Sequence, residues 1–300
     1  MGSRLIIAAI VLGASVASAQ PAPDHLTIGI YAPSIEFGTS QARLAYLQGL
    51  AKAVEQNTGI RVEAQSYPSL AALRKDSVDL AIIDGQCVAV NPSWRLIASA
   101  EVGGGTTRPW ALFSSAGDTM QALKGKKLAF MQTGCNDAGF VDNAMLESEV
   151  DAGFFGGRVG EKDLTAAVAD VSSYKTAQAV FAPVDAAKGL KKVFDTGAVP
   201  NPGFVVLSSK VTGPIAEKIA AAVTGYGGSG AITGWARPSR EPYQVLAARL
   251  GRIVKTAVLA SPEPVRIDGK DVLIDPPTLR DAALVPVHQH FVRAPSARME

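Results

Sequence analysis

The chain has 300 residues, of which 47% are hydrophobic, 19% charged and 6% aromatic. That balance excludes a disordered or fibrous protein and suffices for two domains, or one large one, each with a sizeable core. Lys and Arg number 29 against 27 Asp and Glu, a net charge of +2 with no long basic run, so no nucleic-acid partner is expected.

The first residues read as a targeting signal. Arg4 supplies a positive start, Leu5 to Ala17 an apolar run of 13 residues, and Ala17-Ser18-Ala19 a small-residue cleavage site before Gln20. Residues 1–19 are therefore assigned as a cleavable signal peptide, because a membrane-spanning helix needs about 20 apolar residues. Gln20 stands where a lipoprotein would carry Cys, so the expectation is a soluble protein exported to the periplasm, with 28 basic and 27 acidic residues left after Arg4 is removed.

From His25 onward strand and helix signals alternate, the pattern of an α/β protein with mostly parallel sheets. Leu26 to Tyr31 reads as a strand. Thr39 or Ser40 then caps a helix carrying Leu44, Leu47, Ala51 and Val54 at helical spacing, with Gly59 just past its end. Ile60 to Ala64 is a second strand, Ser69 to Arg74 a short helix, and Val78 to Ile83 a continuous apolar strand ended by Asp84-Gly85. Arg95 to Val102 is a fourth strand, running into Gly103-Gly104-Gly105, which marks a first crossover.

A second series follows, with strands at Trp110 to Ser114 and Lys127 to Met131 and a helix from about Asn136 bearing Val141, Ala144 and Met145. Further elements are a helix over Asp163 to Val171 and strands at Ala177 to Pro183 and Lys191 to Phe194. Val199-Pro200-Asn201-Pro202-Gly203 is expected to break regular structure, because proline lacks the backbone donor and restricts the residue before it. That gives a second crossover. A strand at Phe204 to Ser208, a helix capped by Thr212 and stopped at Gly225, and a helix from near Pro242 with Leu246, Leu250, Ile253 and Ala257 complete the pattern. Beyond Ser261 the chain is Pro-rich and irregular, and 293–300 is expected to be a disordered tail. The reading is two lobes, one formed by 24–104 with 203–300 and the other by 105–202.

In open α/β sheets ligands bind beyond the carboxyl ends of the strands. The candidates there are Ser34 to Thr39, including Glu36 and Phe37, then Tyr67, Asp84 to Cys87 with Gln86, Thr133 to Asp137, and Asp185. Phe37 could stack on a ligand or cover the core, Tyr67 could offer its hydroxyl or sit in a turn, and Trp110 could wall a cleft or pack at the hinge. Gly134-Cys135-Asn136-Asp137 opens a helix, where free N–H groups favour an anion, although Asp137 could instead be a helix cap. Gly227 to Gly230 lacks the Lys-Ser/Thr of a phosphate loop and reads as a turn.

Cys87 and Cys135 each follow a strand, one per lobe, and three readings stay open: unpaired packing residues, a disulfide across the cleft, or a nucleophile at Cys135. With three histidines, His25, His288 and His290, they make no metal cluster, and neither metal nor cofactor is expected.

Four stretches carry a resemblance: Leu26 to Ile30 followed by a helix, Val78 to Asp84, Leu123 to Phe130, and Val199 to Val206. In this order they resemble type II periplasmic solute-binding proteins, in particular the phosphate, phosphite and phosphonate-binding group. The resemblance implies a monomer of two lobes that closes on a small ligand by hinge bending and delivers it to an ABC permease, without catalysis. It also implies an oxyanion site of Ser-Thr-Ser type where Cys135, Asn136 and Asp137 stand here. That departure keeps a neutral, cationic, lipid or sterol ligand in view, and a cysteine-dependent enzyme of the same fold as a further alternative. Gln86, Asn136 and Asp137 would orient the ligand against Phe37 or Tyr67.

Overall fold

The computed structural model describes residues 23–251 except 148, 149, 152 and 229. The expected signal peptide, His288, His290, the expected helical positions Ile253 and Ala257 and the C-terminal segment lie outside the described residues.

The first lobe starts with β1 (His25–Tyr31) and α1 (Ser40–Thr58). Thr39 caps α1 by accepting from Ala42 N at 3.0 Å, and Gly59 closes it in the left-handed region at φ 73°, donating its N–H to Glu55 O. The helix buries Tyr46, Leu47, Leu50, Ala51 and Val54 on the sheet. Next come β2 (Arg61–Ser66), α2 (Leu70–Lys75) under its Ser69 cap, β3 (Leu80–Ile83), α3 (Gly85–Val90) and β4 (Arg95–Glu101). The chain then leaves for a second sheet, with β5 (Thr107–Ser114), α4 (Met120–Leu123), β6 (Lys127–Met131), α5 (Asp137–Gly139) continuing as a π-helix over Phe140–Met145, β7 (Gly157–Glu161), α6 (Leu164–Ser172), β8 (Ala179–Pro183) and β9 (Lys191–Pro200). It returns as β10 (Gly203–Val206), α7 (Gly213–Thr224), β11 (Gly234–Ala236) and α8 (Glu241–Leu250).

The strand orders are β11-β4-β10-β3-β1-β2 and β7-β6-β8-β5-β9. Both sheets are mixed rather than mostly parallel. β1 pairs parallel with β2 and β3, but β10 enters antiparallel between β3 and β4; likewise β6 is parallel to β7 and β8 while β5 is antiparallel to β8 and β9. The reversal follows from the crossovers, since a strand arriving from the other lobe enters from the opposite end.

The expected break at Val199 to Gly203 is shorter in the structure. β9 runs through Val199 and Pro200, and β10 resumes at Gly203. β9 is an edge strand, so the missing N–H of Pro200 breaks no ladder on its open side. Asp84-Gly85 does end β3, but it also starts α3, a helix the sequence reading did not place. A Cβ on Gly85 would lie 2.0 Å from Pro200 O, so the glycine is there for close approach and not for flexibility.

One apolar cluster joins the lobes: Ile83, Cys87 and Val88 from the first pack with Trp110, Phe140 and Val199 of the second, and Tyr243 and Leu246 of α8 cover the join. A second cluster, under α1 and α7, belongs to the first sheet alone. Among the described residues, no helix is long and apolar enough to cross a membrane, and no group of three or more His, Cys, Asp or Glu could hold a metal.

Candidate functional site

The ends of β1, β3 and β6 meet where the lobes face each other. From the first lobe, Asp84 caps α3: its Oδ1 accepts from Gln86 N at 3.1 Å and its Oδ2 from Ser34 N at 3.2 Å. Asp84 is fully buried, and burial lifts its carboxyl above the ordinary range; the two N–H donors oppose that shift and nearby Asp137 adds to it. Gln86 Nε2 crosses to the second lobe, donating to Cys135 O at 2.8 Å and Asp137 Oδ1 at 3.0 Å. The Tyr31 hydroxyl also crosses, donating to Thr133 O at 3.1 Å, and Leu164 N donates back to Pro33 O at 3.0 Å. Burial, reinforced by Asp84 and Asp137, pushes the Tyr31 hydroxyl well above the usual phenol range, so it stays a donor.

Cys87 and Cys135 form a disulfide with Cα atoms 5.1 Å apart, within the span such a bond allows. The default of two unpaired packing cysteines is thereby corrected. The nucleophile reading loses its thiolate at Cys135 in this state, since the thiolate and not the disulfide is the attacking species.

Asp137 is corrected as well. The cap of α5 is Asn136, in the left-handed region at φ 59°, whose side chain accepts from Gly139 N. Asp137 instead turns back on the preceding loop. Its Oδ1 accepts from Thr133 N at 2.9 Å, Thr133 Oγ1 at 2.7 Å and Gln86 Nε2 at 3.0 Å, and its Oδ2 from Gly134 N at 2.9 Å. The carboxylate therefore occupies donors that sequence reading had offered to an anionic ligand.

Glu36 and Asp185 come together on a residue that sequence reading missed. Arg108, near the start of β5, has a buried side chain, and its Nη2 donates to Glu36 Oε2 at 3.0 Å and Asp185 Oδ1 at 2.7 Å, tying the lobes. Phe37 is not brought to the seam; it leans on Tyr46, with ring centroids 5.7 Å apart, over the first-lobe core. Trp110 stacks edge-on against Phe140 between the lobes. Tyr67 is no surface turn. It packs beneath β1, where a Cβ on Gly29 would touch its ring, and burial followed by Asp76 and Glu63 pushes its hydroxyl up to about 12.

Several spaces open along this seam, one of about 410 Å³ lying between Pro68, Leu70 and Arg74 of the first lobe and Gln132 to Gly134 of the second. An inner one, walled by Ser34, Asp84, Gln86, Arg108, Trp110 and Phe140, is only about 10 Å³, roughly the room of one water. Gln86 Oε1 and Arg108 Nε are buried there without a hydrogen-bond partner among the described residues. An outer one is about 560 Å³, with Tyr31, Ser40, Arg43 and Tyr67 from the first lobe and Lys162 and Asp163 from the second. Arg43 Nε is also buried and unpartnered among the described residues, whereas Asp163 Oδ1 is engaged as the cap of α6. A wider depression of about 840 Å³ lies beside α1 and β2 and is walled by the first lobe alone. Sequence reading named Tyr67 but missed Arg43 and Lys162, since a cation in a helix or a loop looks the same on the surface as in a seam.

No protein-family model and no curated protein matches the sequence. Solved structures do match. A Xanthomonas citri protein bound to ATP superposes at a TM-score of 0.59 with 15% identity, over 76% of this chain and 97% of its own. A binding protein component of an ABC phosphonate transporter from Pseudomonas aeruginosa gives 0.58 with 15% identity, over 77% and 86%. PhnD1 from Prochlorococcus marinus in complex with methylphosphonate gives 0.58 with 13% identity, over 77% and 98%. With two mixed α/β sheets joined by two crossovers, the chain has the two-lobed fold of type II periplasmic binding proteins.

Proposed function

We propose that this chain is an exported solute-binding protein that takes a small, acceptor-rich ligand at the seam of its lobes and delivers it to an ABC-type permease. The observation that carries the reading is the outer cavity of about 560 Å³, walled from both lobes and within the range of small-molecule sites, about 300 to 1,000 Å³. Its wall supports an anionic group on the ligand. Arg43 and Lys162 supply positive charge, Ser40 a hydroxyl, and the buried Arg43 Nε lacks the acceptor that a ligand oxygen would provide. The place used for an oxyanion in the phosphonate-binding group is filled here by Asp137, so the ligand's acidic group is assigned to the Arg43 side.

The test is native mass spectrometry of the mature chain purified from its own source, followed by calorimetric titration with inorganic phosphate, methylphosphonate and sulfate. A co-purifying anion is expected, and Arg43→Met should weaken its binding by about 10-fold or more, the effect of losing a charged hydrogen bond. A co-purifying lipid, or no small molecule together with no heat from any of the three anions before or after reduction of the disulfide, would sink the proposal.

A further inference from the structure

We infer that the Cys87–Cys135 disulfide is a redox latch: while it is intact the lobes are fixed against each other, and its reduction frees them to open. The consequence for ligand exchange rests on the proposed binding function, but the latch itself does not.

The argument is topological. The chain passes between the lobes at 101–107 and again at 200–203, and these two crossovers lie side by side, with Asn201 N donating to Thr106 O and Asn201 Nδ2 to Gly105 O. Two adjacent strands of backbone allow the lobes to swing about them. Cys87 sits on α3 of the first lobe and Cys135 in the loop between β6 and α5 of the second, so the disulfide is a third covalent link outside both crossovers. A hinge joined at a third point has a fixed angle. The bond joins α3 of one lobe to a loop of the other and ties no two elements of a single lobe together, as a latch requires.

Beside the apolar cluster that joins the lobes, the other links around the bond are reversible hydrogen bonds and ion pairs, among them Gln86 to Cys135 O and Asp137, Tyr31 to Thr133 O, Leu164 N to Pro33 O, and Arg108 to Glu36. Each can exchange with water as the lobes part, and the disulfide cannot. With the bond in place the inner space stays near 10 Å³, too small for any ligand beyond a water.

Opening the latch is thiol–disulfide exchange with a dithiol reductant. A thiolate of the dithiol attacks Cys135 Sγ, on the less buried of the two residues, forming a mixed disulfide and releasing Cys87 as thiolate. The second thiol of the reductant then displaces Cys135. Two electrons and two protons end on the two cysteines and the dithiol leaves as its own disulfide.

The Leu164 amide is the reporter, because its acceptor Pro33 O belongs to the other lobe; the Ile82 amide, in the middle of the first sheet, reports unfolding. Hydrogen exchange would be followed in the full mature protein, oxidised, reduced with dithiothreitol, and as the Cys87→Ser/Cys135→Ser double variant. The expectation is at least about 10-fold faster exchange at Leu164 in the reduced and double-serine forms, with Ile82 unchanged. Equal exchange at Leu164 in all three forms would overturn the latch, leaving the polar links and α8 as what holds the seam. Faster exchange at Ile82 as well would make the bond a fold staple, and refusal of the native disulfide to react with dithiothreitol would equally end the proposal. None of these readings needs a ligand, so they stand apart from an empty protein in the mass spectrum, which would count against the binding function alone.

Discussion

Asp137 collects four donors on one carboxylate, three from its own loop and one from Gln86 across the seam. Asp137→Ala leaves them without an acceptor in a half-buried place, and a loss of about 2 kcal/mol in stability is expected by urea unfolding. Asp137→Asn keeps one acceptor oxygen and should cost less. Asp84 makes a prediction about pH. Its carboxyl is lifted in the folded state by burial, so the native protein holds that proton more tightly than the unfolded chain. Stability from this group is therefore full below the unfolded carboxylate range and falls as pH rises toward the raised value, above which the whole cost is present. Unfolding measured from pH about 4 to 8 should show a downward contribution in the wild type that Asp84→Asn removes; an unchanged slope in the variant would refute the assignment.

At the scale of elements, α3 is held against the second crossover by the absence of a side chain at Gly85. Adding a methyl there places it 2.0 Å from Pro200 O, a backbone atom that cannot rotate aside, so α3 and the crossover must part. Gly85→Ala is expected to cost about 2 kcal/mol or more, seen as a lower thermal midpoint. Gly213→Ala, at the start of α7 with nothing within 4 Å of the new methyl, should be neutral or slightly stabilising, because alanine is the better helix former. Of the caps expected from the sequence, Thr39 accepts from the N–H three residues on, whereas Thr212 precedes α7 without a side-chain cap bond; Ser69, Thr119 and Asp163 cap α2, α4 and α6 in the way Thr39 caps α1. β7, β11 and α4 were not read from sequence: they are three to five residues long, and their formation depends on a neighbour being present.

For the whole molecule, the seam is the feature that decides behaviour. Arg108 binds Glu36 of the first lobe and Asp185 of the second, and α8 adds a strap, with Arg249 donating to Ala144 O and Thr196 O and Asn143 Nδ2 donating to Leu250 O. Arg108→Met keeps the buried stem and removes the charge. In the oxidised protein it should leave the radius of gyration from small-angle scattering unchanged, because the disulfide still fixes the angle; after reduction it should expand the molecule relative to reduced wild type. Equal expansion in the two reduced proteins would mean that the Arg108 pairs contribute nothing to closure, as is common for partly exposed ion pairs.

Local signals in the sequence were enough for the order of the longer elements, the cap of α1 and the two crossovers, because apolar period, cap residues and glycine or proline act within a few positions. They also singled out Asp84, Gln86, Cys135, Asp137, Glu36 and Asp185 as residues following strands. What each does was decided only in three dimensions. Cys87 meets Cys135 across 48 residues, Gln86 meets Asp137 across 51, and Arg108 meets Asp185 across 77; no local pattern encodes such a partner. The direction of the sheets follows the same logic, since β10 is an ordinary apolar strand whose antiparallel place between β3 and β4 is set by the lobe from which the chain returns. Side-chain type fixes what chemistry a residue can offer, and the fold decides which group receives it.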